Sequence, residues 1–173
     1  MIWFWISITL LHKFALGLAV ASSTYAIIFY IQGIQEGTID SSERRFLDIV
    51  STVLRIALAI IISTQLILVS SYIPDGLPIL FKNPLFVMSW ALVAVIMVSS
   101  VLTQFHKMPT LLTPVFSGCS WYALFILSTW PGPLPLNLVE LLGAYLVFLV
   151  LFGGVLMLIK RRFVPSPPLP AIS

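Results

Sequence analysis

Ionisable side chains are sparse along this chain, and long apolar intervals separate them. A helix needs roughly 20 mostly apolar residues to cross about 30 Å of hydrocarbon. The stretches 3–32, 47–72, 85–105, 111–130 and 138–159 meet that requirement. The first runs from Trp3 to Gln32 and is interrupted only by His12 and Lys13. Between the stretches lie the polar segment 33–46, the segment 73–84 with Pro74, Asp75, Gly76, Pro78 and Pro84, the link 106–110, and PGPLPLN at 131–137. No internal repeat and no second domain is visible. The pattern predicts an all-α integral membrane protein: a five-helix transmembrane bundle forming one domain over 1–162, with a flexible Pro-rich tail at 163–173.

Helix punctuation agrees with the hydropathy. Asp40 followed by Glu43 has the spacing of an N-cap with an acid at the third helical position, so the second helix starts near Ser41. Asn83-Pro84 combines an N-cap with proline at the first helical position. Asn137 and Glu140 repeat the cap-and-acid spacing at the last span. Pro114 falls in the first turns of the fourth span, where a missing amide donor costs little.

The placement of Lys and Arg predicts the orientation. Five spans put 33–46, 106–110 and the C-terminal tail on one side, with Arg44, Arg45, Lys107, Lys160, Arg161 and Arg162. The other side holds Lys82 and, near its interface, Lys13. The N-terminus is therefore expected outside and the C-terminus in the cytoplasm. A first helix of 30 residues would be about 45 Å long, so 14–32 is read as its crossing part and Trp3 and Trp5 as an interfacial turn. A cleaved signal peptide is the competing reading, but 1–11 lacks the basic residues such a leader carries.

Composition narrows the class further. Of 173 residues, 60% are hydrophobic and 9% charged, with a mean hydropathy of +1.09. Ordinary soluble domains have about 45–50% apolar and about 25% charged residues. A conventional soluble protein, a disordered chain and a free nucleic-acid binder are thereby excluded. The net charge of +3 is accounted for by topology, not by an acidic partner. Cys119 is the one cysteine, so no zinc spacing or disulfide framework exists.

Ionisable groups inside a span are costly and point to function by default. Arg55 lies roughly 12 Å along the helix from Leu47, and Asp48 and Ser51 share its face at spacings of seven and four. One reading is a buried arginine that meets a carboxylate, an anionic headgroup or a cofactor propionate. The other, preferred at this depth, is an arginine that snorkels to the headgroups. Glu140 reads as a cap, with an ion pair to Lys13 as the alternative. His12 and His106 raise the question of a b-type haem held by axial histidines. Topology puts them at opposite ends, roughly 30 Å apart, so one haem cannot bridge them. His12 reads as an interfacial histidine beside Lys13, and otherwise as a single axial ligand.

No phosphate loop, HExxH, GxSxG or intramembrane carboxylate pair is present. Ser117-Gly118-Cys119-Ser120, Gly17-xxx-Ala21, Ala15-xxx-Ala19-xxx-Ser23 and Gly153-Gly154 are small-residue patterns that let helices approach closely.

Residues 11–62 also carry a familiar pattern. Leu11-His12 opens a span rich in small residues, and Gly37-Thr38-Ile39-Asp40-Ser41-Ser42-Glu43 leads into a second span with Ser51 and Arg55. This third of the chain resembles uncharacterised bacterial multi-span membrane proteins and, more distantly, the copper-resistance-D type. The resemblance implies a bacterial cytoplasmic membrane protein with His12 as a position of interest. The extra histidines and methionine clusters of a copper site are missing, so copper is not carried over and no metal site is expected.

Two classes of function follow. The first is a structural or interaction subunit, with no enzymatic activity and no cofactor, whose partners are the bilayer and other membrane subunits or its own copies. The second is a haem-bearing electron-transfer subunit or a small transporter working as an oligomer. For transport, the face with Asp48, Ser51, Thr52 and Arg55 is the candidate polar stripe. The sequence alone ranks the first class higher, because it shows no catalytic set and many small-residue faces.

Overall fold

The computed structural model describes residues 2–36, 41–70, 81–105, 114–130 and 136–163. Every regular element among them is helical. In chain order these are α1 (Ile2–Glu36), α2 (Ser41–Ser70), α3 (Pro84–Gln104), a π-helical turn (Pro114–Gly118) that runs into α4 (Cys119–Thr129), and α5 (Leu138–Phe163). Asp40, His106, Lys107 and the Pro-rich tail from 164 onward lie outside the described residues.

Among the described residues, four helices are long and apolar enough to cross a membrane: Ile2–Gln32, Arg44–Ser70, Pro84–Gln104 and Leu138–Arg162. They match four of the five predicted stretches. The remaining stretch is helical too, but differently built. Five residues of π-helix precede eleven of α-helix, fewer than the roughly 20 residues of a standard crossing. At its start Pro114 and Gly118 bracket the π-turn, whose residues Val115 and Gly118 are buried. α1 is continuous over 35 residues, about 52 Å at 1.5 Å per residue. Its first turns stand clear of the bundle: Trp3 is 80% exposed and Ile2 74%.

Two of the anticipated caps form. Asn83 Oδ1 accepts from the Leu85 amide at 3.0 Å, and Pro84 occupies the first turn, where its lack of a donor is harmless. At α5 the Glu140 amide donates to Asn137 Oδ1 and the Asn137 amide to Glu140 Oε2, each at 2.9 Å. Two amides that would otherwise lack partners are satisfied reciprocally. The carboxylate of Glu140 is engaged there, and among the described residues no ion pair joins it to Lys13.

α1 and α2 form an antiparallel hairpin. His12 meets Thr64 near one end, and Phe29 stacks on Phe46 near the other, with ring centroids 5.8 Å apart. Ala15, Ala19 and Ser23 are all buried, so the small-residue stripe at every fourth position is the one along which α1 packs. The parallel Gly17/Ala21 stripe is exposed, and a Cβ on Gly17 would meet nothing within 4 Å. α4 and α5 run antiparallel, since Val115, just before α4, lies against Gly153 whereas Ser120, further along, meets Tyr145 earlier in α5. α1 touches α2, α4, α5 and the π-turn, and is the hub of the bundle. The core holds Leu16 and Ala19 of α1, Ile61 of α2, Leu92 of α3, and Trp121 and Leu124 of α4.

Among the described residues, side-chain hydrogen bonds cross between helices at His12–Thr64, Thr24–Tyr122 and Ser120–Tyr145. Thr64 Oγ1 lies 2.8 Å from the Ile60 carbonyl and 3.0 Å from that of Ile61. His12 Nδ1 lies 2.8 Å from the same oxygen; with the threonine proton on a carbonyl the imidazole is the donor, and in the other tautomer the roles reverse. By the same reasoning Thr24 donates to the Val20 carbonyl and accepts from Tyr122, at 2.6 Å. Ser120 donates to the Phe116 carbonyl and accepts from Tyr145, at 2.8 Å. These bonds tie α1 to α2, α1 to α4, and α4 to α5.

Candidate functional site

α2 packs along α1 but makes little contact with α3. The two splay apart towards the start of α2 and the end of α3. A cleft of about 520 Å³ opens there, with a wall from each of α1, α2 and α3 and a floor from the π-turn. Ligand pockets typically run about 300–1,000 Å³.

The α2 wall carries the three sequence candidates together: Asp48, Ser51 and Arg55. Spacings of seven and four bring them to one helix face. Arg55 and Asp48 are exposed and Ser51 half-buried. Seven residues separate Asp48 from Arg55, about 10 Å of helix axis. Among the described residues neither has an ion-pair partner. The Asp48 backbone carbonyl accepts from Thr52 Oγ1 at 2.9 Å. Thr52 is exposed and lies off the cleft wall, so it drops out of the predicted stripe.

Facing them, α3 contributes Ser99, Ser100 and Gln104. Ser99 donates to the Ile96 carbonyl at 2.9 Å and is itself an acceptor for any further donor. Aromatic surface comes from Tyr30 of α1 and Trp121 of α4. The floor carries Ser117 and Gly118. A Cβ on Gly118 would stand 3.2 Å from Ile27 Cδ1 and 3.5 Å from Ser23 Oγ, so glycine allows α1 to come this close. π-Helical turns are rare and are frequent at functional sites. Sequence patterning predicts no such turn, because Pro114-Val-Phe-Ser-Gly118 carries no signal separating π from α geometry.

The other sequence candidates lie elsewhere. His12 and Lys13 belong to the opposite end of the α1–α2 hairpin, and Glu140 to the cap of α5. His12, beside Lys13 as the sequence reading has it, is half-buried and hydrogen-bonded to Thr64. His12 does not line the cleft that holds Arg55. A haem axial nitrogen and its propionate partner are thus not brought together by this pair. Among the described residues, no group of three or more His, Cys, Asp and Glu side chains could hold a metal ion. Cys119 is buried and free.

The polar character of α3 and the π-turn is what sequence reading missed. Ser99, Ser100 and Ser117 look like ordinary helix serines, and nothing in their spacing relates them to Arg55, more than forty positions earlier. No family model, no curated protein and no solved structure matches this chain.

Proposed function

We propose that the chain is a five-span protein of a bacterial cytoplasmic membrane that binds a small charged molecule in the Arg55 cleft, as a carrier or ligand-binding subunit. The end bearing Arg44, Arg45 and Lys160–Arg162 faces the cytoplasm in this reading, and the cleft opens towards it. The observation that carries it is an arginine with no ion-pair partner among the described residues, on the wall of a 520 Å³ cavity that Ser99 and Ser100 of α3 also line. An ionised side chain at membrane depth is held by partners, by water or by a ligand. This reading places the second of the two function classes suggested by the sequence above the first, on the strength of the cleft.

The structural-subunit reading keeps one observation of its own. Only 6% of the apolar window of α5 is buried inside the chain, and the Gly17/Ala21 stripe of α1 is open. Lipid or a second protein surface covers both.

Native mass spectrometry of the full chain in mild detergent, with an absorption spectrum of the same sample, tests both readings. An added small-molecule mass that disappears in Ser99→Trp, which fills the cleft, supports the ligand reading. A protein oligomer with no added mass, and no stabilisation by any of a panel of small anions and lipids, overturns it in favour of the subunit reading. A Soret band would move His12 to the centre instead. Cysteine labelling at Ser42 and Lys82 in a Cys119→Ser background checks the orientation, and equal labelling from both sides contradicts it.

A further inference from the structure

Resting on the ligand reading above, we infer that the cleft selects a zwitterion: a phosphate or carboxylate at Arg55 and an ammonium group at Asp48. A site for a simple anion would surround its cation with donors alone, because a nearby carboxylate repels the ligand. Here the same wall presents one group of each sign, about 10 Å apart along the helix axis. Neither neutralises the other, since among the described residues neither takes an ion-pair partner. Two opposite charges held apart on one wall complement a ligand with the opposite polarity.

The rest of the lining fits that assignment. Arg55 presents a planar fork of donors suited to a phosphate or carboxylate. The Ser100 hydroxyl, on the α3 side, offers a further donor. For the ammonium end, the Tyr30 ring joins Asp48 among the lining groups, and an aromatic face attracts a cation. The volume accommodates a headgroup such as phosphoethanolamine with room for the first carbons of a glycerol. The same chemistry has two sources, a membrane lipid headgroup or a free soluble zwitterion.

The full-length protein in mild detergent is titrated with O-phosphoethanolamine, glycerol 3-phosphate and ethanolamine, read by isothermal calorimetry. In parallel, lipid nanodiscs of phosphatidylethanolamine or phosphatidylglycerol are compared by the lipid retained on ejection in native mass spectrometry. The expected result is a preference of at least about tenfold for the zwitterion over glycerol 3-phosphate, the value of one charge-assisted hydrogen bond. Retention of the ethanolamine lipid alone identifies a membrane source, and binding of free phosphoethanolamine alone a soluble one. Asp48→Asn should abolish the preference while leaving anion binding, and Arg55→Gln should abolish binding of both phosphates. Both side chains are exposed, so neither variant perturbs the core, and circular dichroism verifies the fold. Equal affinity for glycerol 3-phosphate, or a preference that survives Asp48→Asn, overturns the zwitterion inference and leaves the cleft a ligand site. Absence of binding by every probe, together with no co-purified mass, overturns the ligand reading itself.

Discussion

His12 Nδ1 and Thr64 Oγ1 stand 2.8 Å apart across the α1–α2 interface, with 52 positions of chain separating them. The same oxygen lies 2.8 Å from the Ile60 carbonyl and 3.0 Å from that of Ile61, so with its proton on either carbonyl it accepts from the imidazole. Thr64→Val keeps the shape of the side chain and removes the acceptor. Hydrogen bonds between membrane helices average about 0.6 kcal/mol and reach about 1.7 kcal/mol. Equilibrium unfolding in mixed detergent micelles should show a loss in that range, and Thr64→Ser should recover most of it. Identical unfolding of Thr64→Val and wild type would mean that the bond contributes nothing.

The bond between Tyr145 and Ser120 allows a sharper ranking. Tyr145→Phe removes the donor, and Ser120 keeps its bond to the Phe116 carbonyl. Ser120→Ala leaves the half-buried tyrosine hydroxyl without its acceptor, and an unsatisfied buried group costs about 1–3 kcal/mol. Ser120→Ala is therefore expected to destabilise more than Tyr145→Phe. The reverse order, measured in the same unfolding assay, contradicts the assigned donor direction.

Two glycines of similar appearance should behave in opposite ways. Gly118 is enclosed by Ile27, Ser23 and Phe152, whereas Gly17 faces open space. Gly118→Leu should cost at least about 1–3 kcal/mol, the usual penalty of overpacking. Gly17→Leu should leave the stability of the single chain unchanged. Should Gly17→Leu disperse an oligomer on native gels while the monomer keeps its melting behaviour, the open stripe is a contact between chains.

At the start of α5, Asn137→Ala removes the acceptor for the Glu140 amide. Loss of an N-cap costs about 0.5–2 kcal/mol. Amide hydrogen exchange in the first turn of α5 should accelerate by the corresponding factor, with the rest of the helix unaffected. Unaltered exchange there would show that the cap is redundant.

The legible part of this protein is the part that depends on short stretches of chain. Long apolar runs were enough to locate α1, α2, α3 and α5, and a polar residue before Pro84 or three before Glu140 was enough to locate two helix starts. The face shared by Asp48, Ser51 and Arg55 was legible for the same reason, because one helix repeats on itself at fixed intervals. The cleft was not. Ser99, Ser100 and Ser117 became part of it only when α3 and the π-turn were brought opposite α2.

Sequence by itself determined that the chain is helical and apolar enough for a bilayer, where its helices start, and which few polar side chains demand explanation. Tertiary structure decided that His12 holds Thr64, that the Ala15/Ala19/Ser23 stripe is buried while Gly17/Ala21 is open, and that Arg55 and serines of α3 and the π-turn line one cavity. The reason is physical. In a soluble helix the buried face is apolar and the outer face polar, so periodicity reveals the inside. Beside lipid, the outward face is as apolar as the inward one, and association depends on close fit and a few hydrogen bonds. Side-chain type then carries almost no record of which helix faces which, and only the packed bundle supplies it.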